Sequence, residues 1–352
     1  MRTLLLLTSS LDYGGPARRL CLLARGLPRD AFAVRVGVLG TEAPWAEELR
    51  RASVEVRALG WTRLLDAKPL LALRRWLRAD RPHVVHAVGS TALRAAVLCG
   101  AAGRGLVASD LLRGLPRRRW SADRWLLGGV AAVVAFGAAE ARRYQEFRFP
   151  ADKVHAVAPG AELSDGGEAD GWPPGRGVLC LGPIEAHKGH RDAVWAFDIL
   201  HYLFDDLRLV FVGDGPDRPR VEDFARAVGA SPFVHFLGRR PDVTPYLRRA
   251  AAVWVPSRTG GGVCAALEAM AAGRPVVATR VPELAELVAD GESGCLVPPG
   301  DKASLARATR FLLDDAALAR RLGDAARRRA AEHFGAARLV AECARIYEKV
   351  GG

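Results

Sequence analysis

Short runs of apolar residues alternate with longer amphipathic stretches along the whole chain, and this alternation constrains the fold more than any other feature. Runs that read as near-continuous Val, Leu and Ala belong to strands buried on both faces, which a parallel sheet covered by helices on each side provides. The first series falls at 4–8, 34–38, 54–58, 84–88, 105–108, 130–136 and 154–157, with helices expected at 16–26, 69–79, 91–101 and 138–147. A second series follows at 178–181, 209–212, 234–237, 253–255, 276–278 and 295–297. Its helices are expected at 191–203, 219–228, 243–249, 263–272, 282–289 and 304–313, and the stretch from 318 to 350 is helical with an interruption near Phe334-Gly335. Between the two series Ser164 to Gly177 is polar and rich in Gly and Pro. The expected architecture is α/β: two doubly wound Rossmann-like domains facing across a cleft, where strand ends place ligands. The domains are assigned to 1–163 and 177–335, with a linker at 164–176 and a last helix in 336–352. At 352 residues, half of them hydrophobic, the chain is long enough for two cores.

Within the second series, the stretch from Val255 to Gly300 carries the clearest chemistry. Gly260, Gly261 and Gly262 let a ligand approach the backbone, and an alanine-rich helix follows that Gly273 and Pro275 end. Orphan N–H groups at a helix start behind glycines attract phosphate. Glu268, further along that helix among apolar neighbours, is suited to accept hydrogen bonds from a diol. Lys188, just before Gly189 at the start of another helix, adds positive charge where a departing diphosphate becomes more negative. A glycine triplet alone equally marks a tight turn, and a lysine at a helix start is equally a solvated charge. His83 and His86 have ligand-like spacing but fall in a strand-like run, which points them to opposite faces. No dinucleotide fingerprint, D-x-D pattern or hydrolytic triad accompanies these residues.

The stretch from Val255 to Gly300 resembles the donor-binding signature of retaining glycosyltransferases of family four, a GT-B group that takes sugars from nucleotide diphosphates. Further segments agree in order. Tyr13-Gly14-Gly15 is similar to that family's N-terminal glycine loop, Ala158-Pro159-Gly160-Ala161-Glu162 to its PNGVD element, and GPIEAHKG from Gly182 to Gly189 to its GRL…KG element. Val212-Gly213-Asp214-Gly215-Pro216 matches the VGDGP turn, and Phe236-Leu237-Gly238 the FLG turn. The resemblance covers essentially the whole chain and implies a hexosyltransferase of cell-envelope or polysaccharide biosynthesis. Its expected chemistry moves a hexose from a nucleotide-diphosphate sugar to a hydroxyl acceptor with retention, without metal or cofactor. The resemblance implies catalytic roles for Lys188 and Glu268, and donor contacts from Gly15, Lys188, Gly261, Gly262, Val263 and Glu268. His86 and Asp110 are the candidates on the acceptor side, and the last helix is expected to cross back to the first domain.

Three departures bear on activity. The family usually carries two glutamates separated by seven residues; Glu268 is the second, and Gly260 stands where the first is expected. Pro183 replaces an arginine and offers a diphosphate neither charge nor N–H. Ser109-Asp110 occupies the place of a histidine. What is kept would hold a nucleotide diphosphate; what is lost would hold or activate the sugar. Two alternatives therefore stand beside the transferase: a degenerate, non-catalytic nucleotide-sugar-binding homologue, and a GT-B nucleotide-sugar epimerase.

The net charge of +12 comes almost entirely from arginine, since only Lys68, Lys153, Lys188, Lys302 and Lys349 are lysines. Arginines 113, 117, 118, 119 and 124 around Trp120 and Trp125 suit peripheral contact with an anionic membrane face or acceptor, against the plainer reading of a solvated loop. No nucleic-acid motif accompanies the charge, so nucleic acid is not an expected partner. Six scattered cysteines without a C-x-x-C pair read as buried apolar residues of a cytoplasmic protein. No transmembrane segment is expected, because the uncharged run at 125–139 falls short of a bilayer span.

Overall fold

In the computed structural model all residues are described except 42, 62–66, 104, 113–123 and 148; for 124–126 the backbone alone is described. The side chains of the arginine and tryptophan patch expected at 113–125 lie outside the described residues. Every expected strand forms. In chain order they are β1 (Arg2–Thr8), β2 (Phe32–Val38), β3 (Glu55–Ala58), β4 (Val84–Val88), β5 (Leu106–Ser109), β6 (Ala132–Phe136), β7 (Val154–Val157), β8 (Arg176–Leu181), β9 (Leu207–Val212), β10 (Val234–Phe236), β11 (Ala250–Val255), β12 (Val276–Thr279) and β13 (Cys295–Val297). The helix Pro44–Arg51 was not expected; only Ala46 and Leu49 of its residues are buried, too few to show a period.

The chain divides into two compact units, Met1–Gly160 with Ala336–Gly352, and Ala161–Gly335. Unit 1 holds a sheet in the order β3-β2-β1-β4-β5-β6-β7, parallel throughout. Successive strand residues face opposite layers: Leu4 and Leu6 enter one core, Leu5 and Leu7 the other. The helices Gly15–Gly26 and Ala336–Val350 pack on the first of these faces, where Leu339, Cys343, Ile346 and Tyr347 are buried. Ala158 N–H donates to Glu342 Oε2 at 3.0 Å and fixes the last helix from its polar side.

Unit 2 repeats the plan with six strands, β10-β9-β8-β11-β12-β13. Val178, Cys180 and Trp254 enter one core; Leu179, Val253 and Val255 enter the other. Residues 164–176, expected as a linker, are part of this unit, so the division falls between Gly160 and Ala161. Ser164 Oγ donates to Asp242 Oδ2 at 2.7 Å, Tyr246 Oη donates to the Asp170 carbonyl at 3.0 Å, and Trp172 joins the core. Gly- and Pro-rich composition marked irregular backbone correctly, but side chains of the helix Thr244–Arg249 and of Asp242, two residues before it, anchor that segment. Among the described residues no helix is long and apolar enough to cross a membrane.

Candidate functional site

In each sheet the strand order reverses once, between β1 and β4 in unit 1 and between β8 and β11 in unit 2. Loops leaving the carboxyl ends of such a pair diverge and leave a crevice, the usual ligand position in open α/β sheets. The motif residues of unit 2 converge there. The loop after β8 carries Pro183 and, in a short 3-10 turn at Ala186–Lys188, Lys188, which is only 7% exposed. Gly189 follows in the left-handed region, and a methyl group on it would strike the Pro256 carbonyl, so the loops after β8 and β11 touch backbone to backbone.

Several bonds hold these two loops together. Arg258 N–H donates to the His187 carbonyl at 2.9 Å, and the Arg258 guanidinium forms a two-pronged ion pair with buried Asp192, at 2.7 and 2.8 Å. Thr279, at the end of β12, donates to the Ser257 carbonyl at 2.5 Å. The Gly213-Asp214-Gly215-Pro216 turn supports the first loop from beneath: Ile184 N–H donates to the Asp214 carbonyl at 3.1 Å and Asp217 N–H to the Ile184 carbonyl at 3.1 Å. His190, behind Lys188, is buried against the Phe211 ring; burial, with Lys188 adding to it, lowers its pKa to about 3 and keeps it neutral.

The glycine loop comes next to this lysine. Gly261 and Gly262 have φ of 121° and 84°, conformations that side-chain-bearing residues rarely adopt. A methyl group at Gly261 would stand 2.7 Å from Lys188 Nζ, which places the ammonium over the loop. Gly262 caps the helix Val263–Ala271, whose first N–H groups open toward the loop, and Glu268 lies in that helix, 6% exposed. Lys188, Gly261, Gly262, Val263 and Glu268 are thus gathered at one end of one sheet by two loops and one helix. An ammonium beside a helix N-terminus suits a phosphate, and a buried carboxylate suits hydroxyls.

Unit 1 treats its candidates differently. Gly14 and Gly15 follow β1 at the head of the helix Gly15–Gly26; Gly14 is extended, and a methyl group on it would meet nothing within 4 Å. His86 is not at a strand end. It is the middle residue of β4, fully buried, with Nδ1 2.7 Å from Tyr347 Oη and Nε2 3.0 Å from Ser109 Oγ. Burial lowers its pKa to about 4, so His86 is a neutral core residue pinning the last helix, not a ligand contact. Asp110 does leave a strand end, β5, with a strained φ of 55°. Its Oδ1 pairs with Arg19, while its Oδ2 is buried and makes no hydrogen bond among the described residues. Arg19 also lies over the Phe136 ring at 4.0 Å. Nearby Glu140 accepts from Phe136 N–H at 2.8 Å, and burial, with Asp110 adding to it, raises its pKa to about 7. Neither Arg19 nor Glu140 was singled out from sequence, since each reads as an ordinary helix charge until the strand ends are brought together.

Two family models match the chain, one described as Glycosyltransferase Family 4 over residues 13–165 and one as Glycosyl transferases group 1 over 175–315. The chain is similar to a glycogen synthase of Mycobacterium tuberculosis, 28% identical over 337 residues, covering 92% of this chain and 74% of that protein. It is also similar to a phosphatidyl-myo-inositol mannosyltransferase of Mycobacterium leprae, 34% identical over 60% of this chain and 57% of that one. In fold it matches Anabaena Alr3699/HepE, described in complex with UDP and glucose, with a TM-score of 0.84 at 19% identity, covering 99% of this chain and 100% of that one.

Proposed function

Because the chain is a GT4-like glycosyltransferase of GT-B fold, we propose that it moves a hexose from a nucleotide-diphosphate sugar to a hydroxyl acceptor, with retention and without a metal. The observation that carries the donor assignment is the buried Lys188 ammonium lying over Gly261 at the strand-order reversal of unit 2. In the transfer, the bond from the anomeric carbon to the diphosphate oxygen breaks and its electron pair stays with the diphosphate. The acceptor oxygen bonds the same carbon from the same face, and its proton passes to the departing phosphate oxygen. Charge therefore grows on the diphosphate, where Lys188 and the N–H groups at the start of the helix Val263–Ala271 stabilise it. Glu268 accepts hydrogen bonds from the ribose hydroxyls. Asp110 is the acceptor-side candidate that remains once His86 is assigned to the core.

Isothermal titration of the full chain with UDP, GDP and ADP tests this reading. One of them should bind below millimolar concentration, and transfer to water or added sugars should follow from the matching nucleotide sugar. The complex named for Alr3699/HepE makes UDP the first ligand to try. Absence of binding by all three at millimolar ligand would reject the donor site.

A further inference from the structure

The place that a side chain at Gly260 would enter is taken by a carboxylate from another loop. A methyl group at Gly260 would stand 2.8 Å from Glu283 Cδ and 2.9 Å from its Oε2, with Oε1 nearer still. Gly260, unlike its two neighbours, does not lie in the left-handed region, so its backbone accepts a side chain and the Glu283 carboxylate is the obstacle. The approach follows from sheet order: β11 and β12 are adjacent, so the loops that leave their carboxyl ends run side by side. Glu283 enters from the first turn of the helix after β12, half-buried, while Lys188 approaches the next residue of the same glycine loop, Gly261. A carboxylate and an ammonium thus address adjacent residues of one loop at the crevice of unit 2.

We propose that Glu283 is a specificity-determining residue, whose carboxylate accepts hydrogen bonds from hydroxyls of the sugar carried by the nucleotide diphosphate. This rests on the donor-site reading above and deepens it. An ionised carboxylate only accepts, and its bonds to hydroxyls are charge-assisted, so it discriminates sugars by where their hydroxyls point. It would repel the diphosphate, which is why the two charges divide the ligand: Lys188 faces the phosphates and Glu283 the sugar. The glycine at 260 is then the complement of the glutamate at 283, a carboxylate delivered from a different loop. Weakened sugar selectivity, expected from Gly260 alone, is replaced by the opposite expectation.

The test is titration calorimetry on the full chain with the best-binding of UDP, GDP and ADP and with its glucose, galactose, mannose and N-acetylglucosamine conjugates. The wild-type chain should prefer one conjugate over the others and over the free nucleotide. Glu283→Gln should leave free-nucleotide affinity within about twofold and weaken the preferred conjugate about tenfold, or about 1.4 kcal/mol. The double change Gly260→Glu with Glu283→Gly, which returns a carboxylate to the same space from the other loop, should recover much of that preference. Gly260→Glu alone crowds two carboxylates and should weaken the conjugate. If Glu283→Gln weakens nucleotide and conjugate equally, the residue only shapes the loop; if it changes neither, the residue is a helix-start charge. Either result overturns the assignment while leaving the donor site standing. Failure of the wild-type chain to bind any nucleotide would reject the donor site itself.

Discussion

The two strand-order reversals of this molecule are built alike and filled differently. Both follow a parallel sheet, both have a glycine-led helix start after a strand, and both gather charged groups at the strand ends. In unit 2 the charges are spread along a glycine loop, with Lys188 on Gly261, whose backbone disfavours a side chain, and Glu283 at Gly260 just before it. In unit 1 they turn inward: Arg19 pairs with Asp110 and stacks on Phe136, Glu140 is buried beside them, and His86 is consumed by Tyr347 and Ser109. The same topology therefore yields, in one unit, a loop proposed to address a ligand and, in the other, a polar core; the distinction does not lie in burial, since Lys188 and Arg19 are each 7% exposed, but in what the cation faces, a glycine loop or a carboxylate.

The largest expected effect tests the inward cluster. Arg19→Met leaves the buried Asp110 carboxylate without its cation, which costs roughly 3–5 kcal/mol. Hydrogen-exchange protection in β1 to β7 should fall accordingly, while nucleotide affinity in unit 2 stays within about twofold. A drop in nucleotide affinity matching the stability loss would mean that the two clusters are not independent.

The second effect is pH. His86 and His190 have folded pKa values, about 4 and about 3, below the ordinary 6.5, so the unfolded chain binds protons that the folded chain refuses. Stability from each is full above pH 6.5 and is lost as pH falls toward the folded value. Glu140, raised from 4.5 to about 7, works in the other direction, its contribution being full below 4.5 and lost as pH rises through 7. Between pH 6.5 and 4.5 the two effects in unit 1 offset, whereas His190 in unit 2 is opposed by no comparable group among those described. Unit 2 should lose roughly 3 kcal/mol over that window while unit 1 changes much less, as read by protection factors in each sheet. Equal losses in both sheets would break the comparison.

Lys188→Ala should remove a charge-assisted contact of roughly 1.5–3 kcal/mol and weaken nucleotide binding about ten- to a hundredfold. An unchanged dissociation constant would return Lys188 to the structural framework. The smallest effects concern glycine. Gly262→Ala places a methyl group at a φ of 84° against Val255 and should destabilise unit 2 by about 1 kcal/mol or more. Gly14→Ala meets neither strain nor crowding and should change thermal stability by less than about 0.5 kcal/mol. Any loss of activity in that variant would then report a ligand beside Gly14 rather than a damaged fold.

These outcomes also separate what periodicity could tell from what it could not. Apolar runs and their punctuation by Gly and Pro located all the strands, and the phosphate-type loop from Gly260 to Val263 was visible as a local pattern of glycines before a helix. Residues 164–176 looked like a linker because their composition is that of irregular chain, yet Ser164, Asp170 and Trp172 find partners around the helix Thr244–Arg249. His86 was a candidate because a place at its strand end would bring it to the cleft; it stands mid-strand instead, and Tyr347, far along the chain, bonds to its ring.

By itself the sequence determined the layered α/β architecture, the order of its elements and the glycine loop with Glu268 in the helix behind it, because side-chain period and turn chemistry act over a few residues. Tertiary structure decided which groups share a space: Glu283 with the glycine at 260, Lys188 with Gly261, Arg19 with Asp110, Asp192 with Arg258. Those meetings depend on which strands are neighbours in the sheet and where their loops emerge, and the free energy that sets strand order is distributed over whole cores rather than written at the residues that end up in contact.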